Sequence, residues 1–430
     1  MRTNPIDSLD RQVRQFLAPL IPHIGRKERH QGCLNYTLGL LGEGARKSVQ
    51  PMAERMHVPR QNLNLFLNRS PWDWDKLQQQ LAIRMCRVTP PRERFWVVDE
   101  TSFVKAGSQS VGVAHQYCGA LGKQANCQVA VSLHMCQDAE SFPVGWELFL
   151  PESWTLDPAR RKKAGIPTAV EHQNKQMLGL ILVDRAMAAG LPHGCVLADI
   201  LYGQTYSFRK GLRTRGLSYA LSVDARTLLN LQRPDSKPPL CSALTLARTL
   251  PTNAWHTLTW RQGTKKPQRS RFAMVEVWAA HRPATGEIIG PRAVEQLLIE
   301  WPLDQPSPAG YWMLWHPERW FSLIAAVRSA HGRWRVEQDY RELKEEIGLD
   351  HYEGRGWLGW HHHVTLVTLA FCFLRWRQRK KKRTAPLLAR HPSLAATNAS
   401  AYDGPVPVMP DPLYLWAAET DAAPPSFSPL

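Results

Sequence analysis

What this chain lacks narrows its class before any motif is read. No apolar run is long enough to span a bilayer, and the N-terminus, MRTNPIDSLD, has none of the apolar core a signal peptide needs. Those two absences argue against a membrane protein and make the cytoplasm the expected compartment. The eight cysteines, at 33, 86, 118, 127, 136, 195, 241 and 372, form no CxxC pair and no Cys/His cluster with zinc-finger spacing. They read as reduced, mostly buried small hydrophobes. His361-His362-His363 is no better as a metal site, because consecutive helical residues point in different directions. A helical surface with one histidine turned inward is the expectation there. Acidic charge is scarce too: 37 Asp and Glu face 54 Lys and Arg, for a formal charge of +17 and a pI of about 9.7. That balance favours a polyanionic partner, nucleic acid first and an anionic membrane surface second.

What is present is a chain of 430 residues, 43% hydrophobic, enough for a sizeable core in two or three domains. Residues 1–90 read as helical, with Val13, Phe16, Leu17 and Leu20 at helical spacing and a glycine break at Gly42 and Gly44. Within them a helix ending near Met56, a turn at His57-Val58-Pro59 and a polar helix carrying Arg60, Gln61, Asn62, Asn64 and Asn68 have helix-turn-helix form. Arg60 is the candidate DNA contact. A helical hairpin that binds nothing is the competing reading.

Residues 91–224 change to strands alternating with helices, the pattern of an α/β core. Phe95-Trp96-Val97-Val98 reads as a buried strand stopping at Asp99 and Glu100, and Gln128 to His134 as its hairpin partner. Residues 143–150 add a third strand, residues 170–189 a long helix, and Cys195 to Ala198 a buried strand that again ends in an acid, Asp199. The helix after it, with Arg209, Lys210, Arg213 and Arg215, is a surface suited to phosphates. Residues 225–315 form a β-rich insertion whose basic edge includes Arg261, Lys265, Lys266, Arg269 and Arg271; Lys265 and Lys266 are candidate DNA contacts.

Residues 316–380 return to helix. Val336, Tyr340, Leu343 and Ile347 fall on one stripe, and the adjacent face carries Arg333, Glu337, Arg341 and Lys344. Salt bridges on a solvated helix would explain such a face; so would an acid flanked by phosphate-binding cations. Residues 381–430 are basic and then Pro-rich, the composition of a disordered tail.

Asp99, Asp199 and Glu337, in that order and with a β-rich insertion before the last, resemble the DDE triad of RNase H-like transposases. VVDETSF, SVGVAHQYCGALGKQANCQVAVSLH, VLADILYG and RWRVEQDYRELKEEIGLDHYEGRGWLGWHHH are similar to signatures of the transposases of insertion-sequence family 701, in the wider family 4 group. The domain of that family is often called a DDE superfamily endonuclease. Arg333, four residues before Glu337, and Lys344, seven after, match the group's Tyr-Arg-Glu-Lys signature, while Ala330 stands where the tyrosine belongs. The chain also has Ile200-Leu201 where relatives usually carry small residues.

The resemblance implies an RNase H-like catalytic core with a β-rich insertion, preceded by a helical domain. It implies Asp99, Asp199 and Glu337 as catalytic ligands of two magnesium or manganese ions. Arg333 and Lys344, with Arg341 a weaker candidate, would contact DNA. The expected activity is cleavage of transposon ends and transfer of their 3′-hydroxyls to target duplex, by a homodimer assembled on DNA. Two other classes stay open: an RNase H-like nuclease that joins nothing, and a transposase-derived DNA-binding protein.

Overall fold

A computed structural model of the chain describes residues 5–89, 93–137, 140–231, 240–262, 267–279 and 293–384. Lys265, Lys266 and nearly all of the 381–430 stretch lie outside these. The amphipathic spacing of the first region produces α1 (Pro5–Leu17), α2 (Lys27–Leu41), α3 (Val49–Met56), α4 (Arg60–Asn68) and α5 (Trp74–Val88). The turn between α3 and α4 falls at His57–Pro59 as expected, with His57 closing α3 in the left-handed region at φ 52°. Leu63, Phe66 and Leu67 bury one side of α4, leaving Arg60, Gln61, Asn62 and Asn64 exposed.

The β-branched runs then build one mixed sheet. β1 (Phe95–Val104), β2 (Ala114–Cys118), β3 (Lys123–Gln137) and β4 (Glu140–Leu148) are antiparallel, with β3 between β1 on one side and both β2 and β4 on the other. After α6 (Glu152–Thr155), α7 (Pro158–Ala164) and α8 (Lys175–Ala188), β5 (Cys195–Ala198) joins β1 in parallel. Past α9 (Ile200–Gly203) and α10 (Tyr206–Thr214), β6 (Tyr219–Ser222) joins β5 in parallel. The order β4-β3-β1-β5-β6, three antiparallel strands followed by two parallel ones, is the expected RNase H-like arrangement.

Two details differ from the sequence reading. β1 does not stop at the two acids but continues to Val104, because β3 keeps pairing with it down to Cys127. Nor are β1 and β3 a simple hairpin, since β2 intervenes in the chain and pairs the outer edge of β3.

The insertion comprises β7 (Leu228–Asn230), β8 (Cys241–Ser242), α11 (Ala243–Thr249), β9 (His256–Gln262), β10 (Pro267–Ala279), β11 (Glu295–Pro302) and β12 (Gly310–Trp315). It has a small core of its own around Leu229, Val277, Leu297 and Met313. Yet β12 pairs antiparallel with β6, so the insertion extends the catalytic sheet.

α12 (Leu323–Ala330), α13 (Trp334–Glu345) and α14 (Trp357–Thr384) complete the described fold. α14 is surrounded: Phe373 packs on Phe16 of α1, His363 meets Tyr36 of α2, Thr365 meets Gln78 of α5, and Thr368 meets Trp146 of β4. Packed on several sides over this stretch, it buries all three consecutive histidines, not one. His362 stacks on Trp72 with ring centroids 3.7 Å apart, and its nitrogens meet the carbonyls of Leu67 and Trp72. Burial pulls the His362 pKa down to about 4 and that of His363 to about 3, so both are neutral packing groups.

Candidate active site

The register of two parallel strands determines where the aspartates fall. β1 and β5 pair from Phe95↔Cys195 to Val98↔Ala198, so the next residue on each chain is an aspartate, Asp99 beside Asp199. β5 ends there, and Asp199 caps α9 by accepting a hydrogen bond from the Leu201 amide at 3.0 Å. Asp99 stays in β1 opposite Ser132 of β3, and its Oδ1 accepts from the Glu100 amide at 2.8 Å.

The third acid arrives on α13, which is anchored through its buried side. The Tyr340 hydroxyl lies 2.6 Å from the hydroxyl of Ser132, the residue paired with Asp99. One residue earlier, fully buried Asp339 accepts from Ser141 at 2.7 Å and Arg375 at 3.3 Å and meets His134 Nδ1 at 3.1 Å. These bonds tie the helix to β3, β4 and α14, with Val336, Leu343 and Ile347 packed between. Glu337, on the opposite side of Val336, is left with a side chain 62% exposed.

Between the acids stands Arg333. It donates through Nη1 to Asp99 at 2.7 Å and through Nη2 to Glu337 at 3.1 Å. Burial alone would lower the Arg333 pKa; the charges of Asp99, Asp199 and Glu337 outweigh it and raise the value. One guanidinium therefore feels all three carboxylates. Asp99 is pushed up to about 6, first by burial and then by Asp199, against the opposing pull of Arg333. Among the described residues no three His, Cys, Asp or Glu side chains are grouped to hold a metal ion. The donor set nonetheless fits a hard divalent ion in kind: carboxylates on Asp99 and Asp199, near enough to shift the Asp99 pKa, and a third on Glu337 that shares the Arg333 guanidinium with Asp99.

Of the cations singled out from sequence, Lys344 is half-buried, donating to the Ser102 carbonyl at 3.0 Å above the Phe103 ring. Arg341 and Arg60 are exposed. Of the basic surface expected on α10, Lys210 is exposed and the three arginines are ion-paired. Arg209 and Arg213 pair with buried Glu295, and Arg215 holds both oxygens of Asp184. In the insertion, Arg261 lies over Trp334 and Arg271 over Trp301, while Arg269 is exposed.

Sequence reasoning missed Asp339, although a signal was present: it is an acid next to Tyr340 on the stripe that begins at Val336. It also missed Lys175, which donates to Glu100 at 2.8 Å beside the aspartates, and the stack of Trp260 on His331, 3.7 Å between centroids, just before Arg333.

The strand order is that of an RNase H-like domain, with Asp99 and Asp199 where β1 and β5 part. A family model described as DDE superfamily endonuclease matches residues 19–267, more than half of the chain, and the chain belongs to that family. A probable transposase for insertion sequence element IS701 from Microchaete diplosiphon is 29% identical over 188 residues. That match covers 43% of this chain and 47% of the relative, so it spans about half of each.

Proposed function

We propose that this protein is a DDE transposase that cleaves transposon-end DNA and transfers the resulting 3′-hydroxyls to target DNA, with Asp99, Asp199 and Glu337 as its catalytic carboxylates. The observation that carries the reading is the single Arg333 guanidinium shared by acids roughly 100 and 140 residues apart along the chain. Two magnesium or manganese ions on these oxygens would activate the attacking water or 3′-hydroxyl and stabilise the leaving oxygen.

The chain's own contribution is positioning. Asp99 is fixed by a strand paired on both sides, Asp199 by its capping bond, and Glu337 by the buried anchor of α13. Arg333 serves as counter-ion to the acids before DNA arrives and turns to a substrate phosphate once the acids take up divalent ions. Lys344, two turns beyond Glu337 along the same helical face, and exposed Arg341 add positive charge along the same path. Two ends brought together need two active sites, which a dimer of this chain supplies.

Strand transfer separates this reading from a nuclease of the same fold. With a pre-cleaved end bearing a free 3′-hydroxyl, a supercoiled target plasmid and magnesium, the protein is expected to yield covalently joined products. Cleavage of intact ends without any joining would leave the nuclease reading in its place.

A further inference from the structure

The exposed cations of α7 play no part in the site described above. PARRKKA places Arg160, Arg161, Lys162 and Lys163 in succession, with Lys162 and Lys163 exposed. The helix is joined to the far end of β1. Arg160 donates to the Ser108 carbonyl at 2.9 Å while stacking over Trp154 at 3.7 Å, and Lys163 donates to Gln109 at 2.9 Å. The same loop after β1 receives the segment that follows α13. The Val111 amide donates to the Arg355 carbonyl, and Lys105 donates to the Tyr352 carbonyl at 2.6 Å. Tyr352 reaches in turn to α4, its hydroxyl donating to Asn68 at 3.0 Å. A cavity of about 150 Å³ lies in that seam, lined by Arg60, Asn64 and Asn68 on one side and by His351 to Gly354 on the other.

A chain of hydrogen bonds therefore runs from α4 through residues 351–356 and the 105–111 loop to α7. Its exposed charge is mainly positive: Arg60, Arg355, Lys162 and Lys163. The nearby acids are largely taken up, Glu353 by an ion pair with Arg46 at 2.7 Å and Asp157 as the cap of α7. We infer that this surface is a second contact for the same DNA duplex that enters the carboxylate site, so that α4, the 105–111 loop and α7 meet one continuous double helix. The inference rests on the proposed function and extends it by naming where the duplex lies outside the site.

Lys105, the residue after β1, is six residues beyond Asp99, roughly 20 Å at strand spacing, the length of about six base pairs of duplex. Rigidity is what distinguishes this face from a scatter of surface lysines. The 105–111 loop is bonded to both flanking segments, so Lys105 and the cations of α7 keep a fixed offset from Asp99. A regular array of phosphates is matched by a fixed array of cations at little ordering cost.

The test uses the full chain, calcium in place of magnesium to prevent cutting, and a duplex carrying the terminal sequence of the element that encodes the protein. A Lys162→Ala/Lys163→Ala/Arg355→Ala variant should lower the magnitude of the slope of log K against log salt by about two to three. Ethylation interference on the wild-type complex should mark phosphates about six base pairs from the cleaved bond, and those marks should vanish in the variant. The three residues are exposed, and circular dichroism with thermal melting checks that the fold is kept. A Lys162→Glu/Lys163→Glu variant should weaken binding by a further tenfold or more. A wild-type slope and unchanged interference in both variants would overturn the inference while leaving the proposed function standing. Failure of the wild-type protein to bind the duplex at low salt would remove both.

Discussion

At the residue scale, Asp99 and Arg333 lead to opposite expectations for metal-free protein. The folded pKa of Asp99 is about 6 against an ordinary 3.8, chiefly because burial disfavours its charge. A raised folded value means that the native state binds more protons than the unfolded one between those pH values. This contribution to stability is therefore fully present below about pH 4 and is lost as pH rises through 6. In EDTA, wild-type stability is expected to fall over that window relative to an Asp99→Asn variant, with the melting-temperature difference moving in the variant's favour from pH 4 to 7. A pH-independent difference would contradict the burial of this acid. Arg333 is the other half of the balance, since its guanidinium competes with any cation for Asp99 and Glu337. Arg333→Gln is expected to bind manganese several-fold more tightly than wild type in a titration followed by electron paramagnetic resonance, and DNA more weakly. Manganese binding equal to or weaker than wild type would show that Arg333 does not occupy the cation position.

At the element scale, α13 depends on an interaction that its exposed face gives no sign of. Asp339 has no exposure, and three side chains from β3, β4 and α14 converge on it. Asp339→Asn should therefore cost about 3 to 5 kcal/mol in chemical denaturation, because Arg375 is left with a weakened counter-charge and His134 with an altered partner. A loss under 1 kcal/mol would place the anchoring of the helix in its apolar packing alone. Elements built from local pattern were legible in the sequence. β5 runs from Cys195 to Ala198 as read, and α3, α4 and their turn fall where the helical spacing and Pro59 put them. Elements shaped by distant partners were not. β1 outruns its apolar stretch because β3 continues beside it. The cations of α10 looked free because their partners, Glu295 and Asp184, lie 82 and 31 residues away from Arg213 and Arg215.

At the scale of the whole molecule, the insertion and the catalytic sheet are one structure. β12 continues the sheet from β6, and Trp260 of β9 stacks on His331 while Arg261 lies over Trp334, at the head of the helix that carries Glu337. The three acids could be singled out because two follow short apolar runs and the third lies on a helix with a distinctive signature; the contact of Arg333 with Asp99 could not, because spacing alone cannot say whether Arg333 faces solvent, phosphate or Asp99. Among the described residues no helix is long and apolar enough to cross a membrane. The most direct measurement is cleavage of a transposon-end duplex in magnesium by Asp99→Asn, Asp199→Asn and Glu337→Gln, with binding of the same duplex measured in parallel. The account predicts that each variant loses cleavage by at least a thousandfold, about 4 kcal/mol of transition-state stabilisation, and retains binding within a few-fold. Cleavage at the wild-type rate by any one of the three would contradict its place among the catalytic carboxylates.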